Sequence, residues 1–271
     1  MSDRVWSPSA IVRYRSCPLA WRLSTDGTPR DTPPGVVRPT TPAALGGVAH
    51  AGLATAYTAA RDDEDQRPGR RMAVFTPLAL RAVDRAWHDA RLPFDSPERF
   101  QVASEVVSLL DRLPCPHPAA VLAVEEELPM TGPSGTRFRV IPDLVLRVGV
   151  DSVHVRDWKR RAVSSLGKPA DLVEDDQLAA YVRAVFQRWP WVRRVSVGLF
   201  SVTGGYEVVL EDFPEDAAAE RVRGHEVTAY AAEHAGRYPA TPDGTNCTEC
   251  AFRSRCPAVG GGGQRDYRLV R

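Results

Sequence analysis

Of the chain's 271 residues 43% are apolar and 25% charged, which excludes a disordered protein and supplies core for one large domain. Lys and Arg number 35 against 34 Asp and Glu, a formal net charge of +1, so any nucleic-acid contact must rest on a local basic surface and not on a global field. The arginine-bearing stretch Met1 to Cys17 has no secretory apolar core, and no run of roughly 18 apolar residues occurs, so a cytoplasmic location is expected.

Ser7-Pro8-Ser9 predicts a helix start, with Ser7 as cap and Pro8 at the first helical position, leading into Ala10 to Leu23. Tyr14, Cys17 and Trp21 share one side of it, and on residue type alone they are a buried stripe with Cys17 as a small hydrophobe. Thr25 to Pro42 reads as a loop. Ala43 to Ala60 reads as a helix whose Gly46 and Gly47 allow close packing, with His50 on the inner half. Taken alone, such a histidine is a hydrogen-bonded core residue. The charged stretch Arg61 to Arg71 reads as a solvated loop. Helices at about Pro77 to Arg91 and Pro97 to Leu113 complete an all-helical insertion, which Pro114-Cys115-Pro116-His117-Pro118 ends, since alternating prolines cannot propagate a helix.

From Ala120 the apolar period becomes two. Val121 to Leu128, Arg137 to Val148 and Ser152 to Lys159 read as an antiparallel meander. A helix at about Leu172 to Trp189 follows, with Gln177 and Tyr181 on one side, then strands Arg194 to Val202 and Tyr206 to Leu210 and a charged helix from about Glu215 to Arg237. The order βββαβ flanked by helices predicts an α/β sandwich with a mixed sheet. No Walker phosphate loop is present, since Gly167-Lys168 runs into Pro169, so any nucleoside-triphosphate motor must be a partner.

Asp143 follows Pro142 inside the second predicted strand, and Asp157 and Lys159 stand two apart on the third, which puts them on one face. Two carboxylates converging beside an ammonium are costly to desolvate and make a poor core. They make a good site for a divalent cation and a water. Glu125, Glu126 and Glu127 precede these strands; a solvated acidic strand end is the simplest account of them, and support of the acidic site by one of the three is the alternative. Near the C-terminus stands Cys247-x2-Cys250-x5-Cys256-Pro257, thiols whose spacing fits metal ligation better than a disulfide framework. A tetrahedral zinc or a cubane iron-sulfur cluster needs a fourth ligand, from Cys17 or Cys115, and spacing alone does not choose.

Taken together these pieces resemble the PD-(D/E)XK nuclease superfamily, in its RecB-like branch with an iron-sulfur cluster, which includes AddB-type nuclease domains and CRISPR-adaptation exonucleases. The matching residues are Ser7-Pro8-Ser9, Tyr14, Cys17-Pro18, Gly46-Gly47, His50, Pro142-Asp143, Asp157-Trp158-Lys159, Gln177-x3-Tyr181 and the three late cysteines. Arg139-Val140-Ile141-Pro142 stands where relatives often have glycine-x-x, and Trp158 replaces a commoner tyrosine; neither change removes a ligand.

The resemblance implies a restriction-endonuclease-like core with a mixed central sheet, a helical insertion and iron-sulfur-stapled termini. The expected division is one nuclease domain over 1–259, with a helical part at about 43–118, a catalytic sheet core at about 119–211, a helix and cysteine cluster at 214–257, and a Gly-rich flexible tail at 260–271. It implies Mg²⁺ or Mn²⁺ held by His50, Asp143, Asp157 and the Trp158 backbone carbonyl, with Lys159 acting on the attacking water and Gln177 and Tyr181 orienting lysine or DNA. It implies a 4Fe-4S cluster on Cys17, Cys247, Cys250 and Cys256, with structural zinc as the alternative. Arg160, Arg161, Lys168 and Tyr181 are the candidate nucleic-acid contacts. The function implied is a metal-dependent DNA exonuclease on single-stranded or frayed ends in repair, recombination, phage or CRISPR-adaptation settings, with a helicase or integrase as partner. The competing reading is a non-catalytic subunit that binds DNA ends.

Overall fold

In a computed structural model, residues 4–28, 40–63, 69–243, 247 and 250–259 are described. The tail at 260–271, and parts of the expected loops Thr25 to Pro42 and Arg61 to Arg71, lie outside these residues. In chain order the elements are β1 (Val5–Trp6), α1 (Pro8–Ser16), α2 (Pro18–Thr25), α3 (Pro42–Arg61), α4 (Thr76–Asp89), α5 (Pro97–Arg112), β2 (Val121–Val124), β3 (Leu128–Thr131), β4 (Arg137–Val140), β5 (Leu144–Arg147), β6 (Ser152–Lys159), α6 (Asp176–Arg188), β7 (Arg194–Ser201), β8 (Tyr206–Leu210) and α7 (Glu215–His234). Contacts divide the chain into two compact units, one of Met1–Val36, Pro129–Arg139 and Ala219–Arg271, the other of Val37–Leu128 and Val140–Ala218.

The larger unit is built on a five-stranded sheet in the order β2-β5-β6-β7-β8. Its pairs are antiparallel except β6 with β7, which run parallel from Ser152↔Arg194 to Lys159↔Ser201. A parallel pair needs a crossover, and α6 provides it. Asp175 caps α6 by accepting from the N–H groups of Gln177 and Leu178 at 2.8 and 2.9 Å. Helices α3, α4 and α5 bury Leu53, Tyr57, Val83, Trp87, Val106 and Leu110 in one core, which reaches the sheet through Val124, Leu144, Trp158 and Phe200. Because side chains alternate along β6, Trp158 meets that core while Asp157 and Lys159 turn the other way, toward Gln177 of α6.

The smaller unit holds the sheet β1-β4-β3, with β1 parallel to β4. Helix α1 starts as expected, with Ser7 Oγ accepting from Ala10 N–H at 3.2 Å. It stops at Ser16, however, because Cys17 is extended (φ −158°) and Pro18 opens α2; a residue before proline is driven out of the helical region. Trp21 stacks on Trp6 with ring centres 5.2 Å apart and takes the edge of Tyr14 at 5.3 Å. The buried Glu226 of α7 accepts from the N–H groups of Ser134 and Thr136, and a Cβ on Gly132 would lie 2.3 Å from its carboxylate. A side chain there would have to displace that carboxylate from its backbone donors.

The expected three-strand meander is interrupted twice. Val121 to Leu128 breaks at Glu125, and Arg137 to Val148 breaks at Ile141-Pro142-Asp143, so that β3 and β4 join the three-stranded sheet while β2 and β5 pair in the five-stranded one. Period-two patterning is blind to such a change of sheet, since both sides of the break keep the same alternation.

Candidate metal centre

Both interruptions shape one site. Pro142 gives no N–H to a ladder, and Asp143, at the joint before β5, is 5% exposed. Its Oδ2 accepts from the Trp158 N–H at 2.6 Å, and its backbone carbonyl accepts from the Glu125 N–H at 3.1 Å. Glu125 leaves β2 with φ of +46°, left-handed backbone that costs a residue bearing a Cβ roughly 1–2 kcal/mol. Its Oε1 lies 3.4 Å from His50 Nδ1, which lies 3.5 Å from Asp143 Oδ1. On the ring's other side Nε2 lies 2.7 Å from the Trp158 carbonyl oxygen. One donor atom from each of His50, Glu125 and Asp143 falls within 4.8 Å of the others.

Asp157 adjoins this group and is 1% exposed. Its Oδ2 is 2.6 Å from Lys159 Nζ, an ion-pair contact. Lys159 donates to Gln177 Oε1 at 3.4 Å, and the Gln177 amide donates in turn to the Tyr181 hydroxyl. His50 is fixed from behind, since Trp158 meets its ring edge-on at 5.6 Å and stacks on Tyr57 at 5.8 Å.

The electrostatics are those of too many acids in a dry place. Burial and then the charge of Asp157 push Asp143 up to about 8. Burial likewise raises Asp157, against the pull of Lys159. Burial drives His50 down, but its hydrogen bond to Glu125 and the charge of Asp143 outweigh it and lift the ring to about 9. Burial, then the charges of Asp157 and Asp143, hold the Tyr181 phenol well above its usual range, so it stays neutral and keeps its proton for hydrogen bonding. The two carboxylates and the imidazole of Glu125, Asp143 and His50 form a donor set that a divalent cation fits and balances.

The geometry gathers His50, Asp143, Asp157, Trp158, Lys159, Gln177 and Tyr181, and adds Glu125, which the sequence offers only as a solvated strand end or a supporting acid. The signal for Glu125 is its left-handed backbone, which three successive glutamates do not reveal. Among the basic candidates, Arg161 and Lys168 are exposed, whereas Arg160 is held by Glu105 through two bonds of 2.8 and 3.0 Å. Tyr181 is 3% exposed with its hydroxyl engaged by Gln177; it is placed to hold that amide and not to touch a strand.

The cysteines separate cleanly. Cys17, Cys250 and Cys256 pack around Leu19, Leu23 and Phe252, while Cys115 lies in the helical core of the other unit. Burial raises the Cys250 thiol, and Cys17, Cys256 and Cys247 all add to that rise against a backbone hydrogen bond from Phe252. Leu19 N–H donates to the Pro239 carbonyl at 3.2 Å, tying the start of α2 to the segment that leads from α7 to the late cysteines.

Fold and site define a class: an α/β protein whose mixed sheet carries a carboxylate-rich centre beside a lysine. The family model of the PD-(D/E)XK nuclease superfamily matches residues 5–257. The chain belongs to that superfamily, whose members are typically nucleases that act on DNA and use divalent metal ions. A search of curated protein sequences finds no significant match. The crystal structure of a protein designated SSO0001 is similar at 11% identity and a TM-score of 0.37, over 96% of this chain and 89% of that one, a likeness too loose to bear on function. No helix among the described residues is long and apolar enough to cross a membrane.

Proposed function

We propose that this chain is a metal-dependent DNA nuclease of the RecB-like branch, acting as an exonuclease on single-stranded or frayed ends. The observation that carries the reading is the convergence of His50, Glu125 and Asp143 within 4.8 Å, next to the Asp157–Lys159 pair. A binding-only subunit has no chemical need for such charges out of water.

His50, Glu125, Asp143, Asp157 and the Trp158 carbonyl would hold Mg²⁺ or Mn²⁺, with the imidazole tilting preference toward Mn²⁺. When bound, the ion supplies Lewis acidity to the phosphate and makes a nearby water easier to deprotonate. Lys159 is the catalytic residue of this chain, aimed by Asp157 and Gln177 at the attacking water, and its charge opposes the negative charge growing on the phosphate. Gln177 and Tyr181 are positioning residues for that amine. Arg161 and Lys168 track the strand beyond the site.

The same reading gives Cys17, Cys247, Cys250 and Cys256 a 4Fe-4S cluster, zinc being the other occupant that four thiolates suit. Grouping of Cys17 with the late cysteines, and not Cys115, supports this ligand set.

The test is digestion of end-labelled DNA, single- and double-stranded, linear and circular, with Mn²⁺ against EDTA. Metal-dependent loss of linear substrates is expected, with a rate lowered at least 100-fold in Lys159→Ala. Binding of ends with no cutting under any divalent metal would establish the non-catalytic reading instead.

A further inference from the structure

Along α7, Arg223, Val227, Tyr230 and His234 follow one another at spacings of four, three and four, and all are exposed, so they form one stripe on the helix. Tyr230 is 65% exposed. Its ring stacks on that of His234 with centres 4.0 Å apart, and His234 Nδ1 donates to the Tyr230 carbonyl at 2.8 Å, which fixes the imidazole. Two rings locked together at the surface, beside an exposed valine, form an apolar platform of the kind that marks a binding face.

The stripe is one wall of a cavity of about 930 Å³, within the roughly 300–1,000 Å³ of ligand sites. Every described residue that lines it lies in the smaller unit, and none belongs to the metal centre. Arg4, Arg22 and Arg223 bring three guanidiniums to it. Arg22 rests on the Tyr238 ring at 5.4 Å, its Nε 3.7 Å from Asp26 Oδ2, too far for a hydrogen bond. Tyr238 is in turn anchored by donating its hydroxyl to the Ala232 carbonyl at 3.1 Å. Arg223 meets Glu220 in an exposed pair that solvent screens. The two acids of the lining are engaged by the chain itself: Glu226 accepts from the Ser134 and Thr136 N–H groups, and Glu233 from the Trp6 indole at 2.8 Å.

Exposed rings beside guanidiniums suit a ligand that carries both flat apolar faces and negative charge. A single nucleic-acid strand has both, since its bases stack on aromatic rings and its phosphates meet arginines. A duplex hides its base faces and cannot use the rings. From Arg223 to His234 the stripe runs about 16 Å along the axis, longer than one nucleotide, which favours a strand over a mononucleotide.

We infer that this cavity seats a segment of single-stranded DNA, with bases on the Tyr230–His234 pair and phosphates on Arg22 and Arg223. The inference rests on the nuclease reading for the kind of polymer, and adds to it a holding site built from residues other than those of the metal centre.

The test follows binding of a labelled thymidine oligonucleotide to the full chain by anisotropy in EDTA, with cutting in Mn²⁺ measured separately. Tyr230→Ala should raise Kd about tenfold, the scale of one lost stacking contact, and Tyr230→Phe should keep it within about twofold of the wild type. Arg22→Gln and Arg223→Gln should each flatten the slope of log Kd against log salt by about 0.7, the share of one single-strand phosphate contact. Phe100→Ala, which removes a ring 71% exposed on α5, should leave Kd within about twofold. Wild-type Kd in Tyr230→Ala, an equal rise in Phe100→Ala, tight binding of thymidine monophosphate in place of the strand, or no binding by the wild type would overturn the inference. Any of these beside Mn²⁺-dependent cutting by the wild type leaves the nuclease reading standing. A wild type that binds through Tyr230 but cuts with no divalent metal defeats the nuclease reading and keeps this site.

Discussion

Glu125 holds a backbone conformation that few side chains accept, and it does so next to His50 and Asp143. Strain of this kind persists where the surroundings over-determine it, and it gathers at functional sites. Replacing Glu125 with glycine should therefore stabilise the metal-free protein by roughly 1 kcal/mol while weakening Mn²⁺ binding about tenfold. Chemical denaturation in EDTA and calorimetric Mn²⁺ titration measure the two halves, and unchanged Mn²⁺ affinity would remove Glu125 from the centre. At this scale the sequence was legible where chemistry follows from spacing. Asp157 and Lys159 share a face because strands alternate, and Asp143 is marked by the proline before it. His50 was ambiguous from residue type because nothing in an alanine-rich helix says what faces it across 108 residues, where the Trp158 carbonyl waits.

Among the elements, β6 does the most, because its two faces carry different duties. On the Trp158 face, Arg156 and His154 both bond Glu207 of β8, at 2.6 and 2.8 Å, and Arg156 also donates to Tyr57 of α3 at 3.2 Å. This network locks the sheet to the helix that carries His50. Burial raises the Glu207 carboxyl, but hydrogen bonds from His154 and Arg156 outweigh it and bring it down to about 2. A carboxyl depressed in the folded state stabilises fully above its unfolded value, near 4.5, and that contribution fades as pH falls toward 2. Glu207→Gln should cost on the order of 3 kcal/mol at pH 7 and much less near pH 2, so its urea midpoint should converge on that of the wild type in acid. An equal loss at both pH values would mean that Glu207 stabilises by shape and not by charge. Helices α3 to α7 and strands β6 to β8 were legible because their periodicity is long and their caps are local. The breaks at Cys17-Pro18, Glu125 and Pro142 were not, since a period carries no record of which sheet, or which of two helices, a segment joins.

Over the whole molecule the near-zero net charge leaves any nucleic-acid contact to local charge, and the exposed Arg161 and Lys168 are among the contacts proposed for it. The thiols of Cys17, Cys247, Cys250 and Cys256 all belong to the smaller unit and come from opposite ends of the chain. A cluster on them would close a loop of about 230 residues and stabilise chiefly by restricting the unfolded chain. Anaerobically purified Cys17→Ser should lose most of its iron and sulfide and melt at least several degrees lower, whereas Cys115→Ser should retain both. Iron retained by Cys17→Ser, or zinc found in place of iron and sulfide, would overturn the cluster assignment without touching the nuclease centre.

That centre is tested most directly by titrating Mn²⁺ into the metal-free protein and following the free ion by electron paramagnetic resonance. Tight binding by the wild type is expected to weaken at least 100-fold in Asp143→Asn and Asp157→Asn and to survive in Lys159→Ala. Mn²⁺ binding left intact by loss of either aspartate would contradict this.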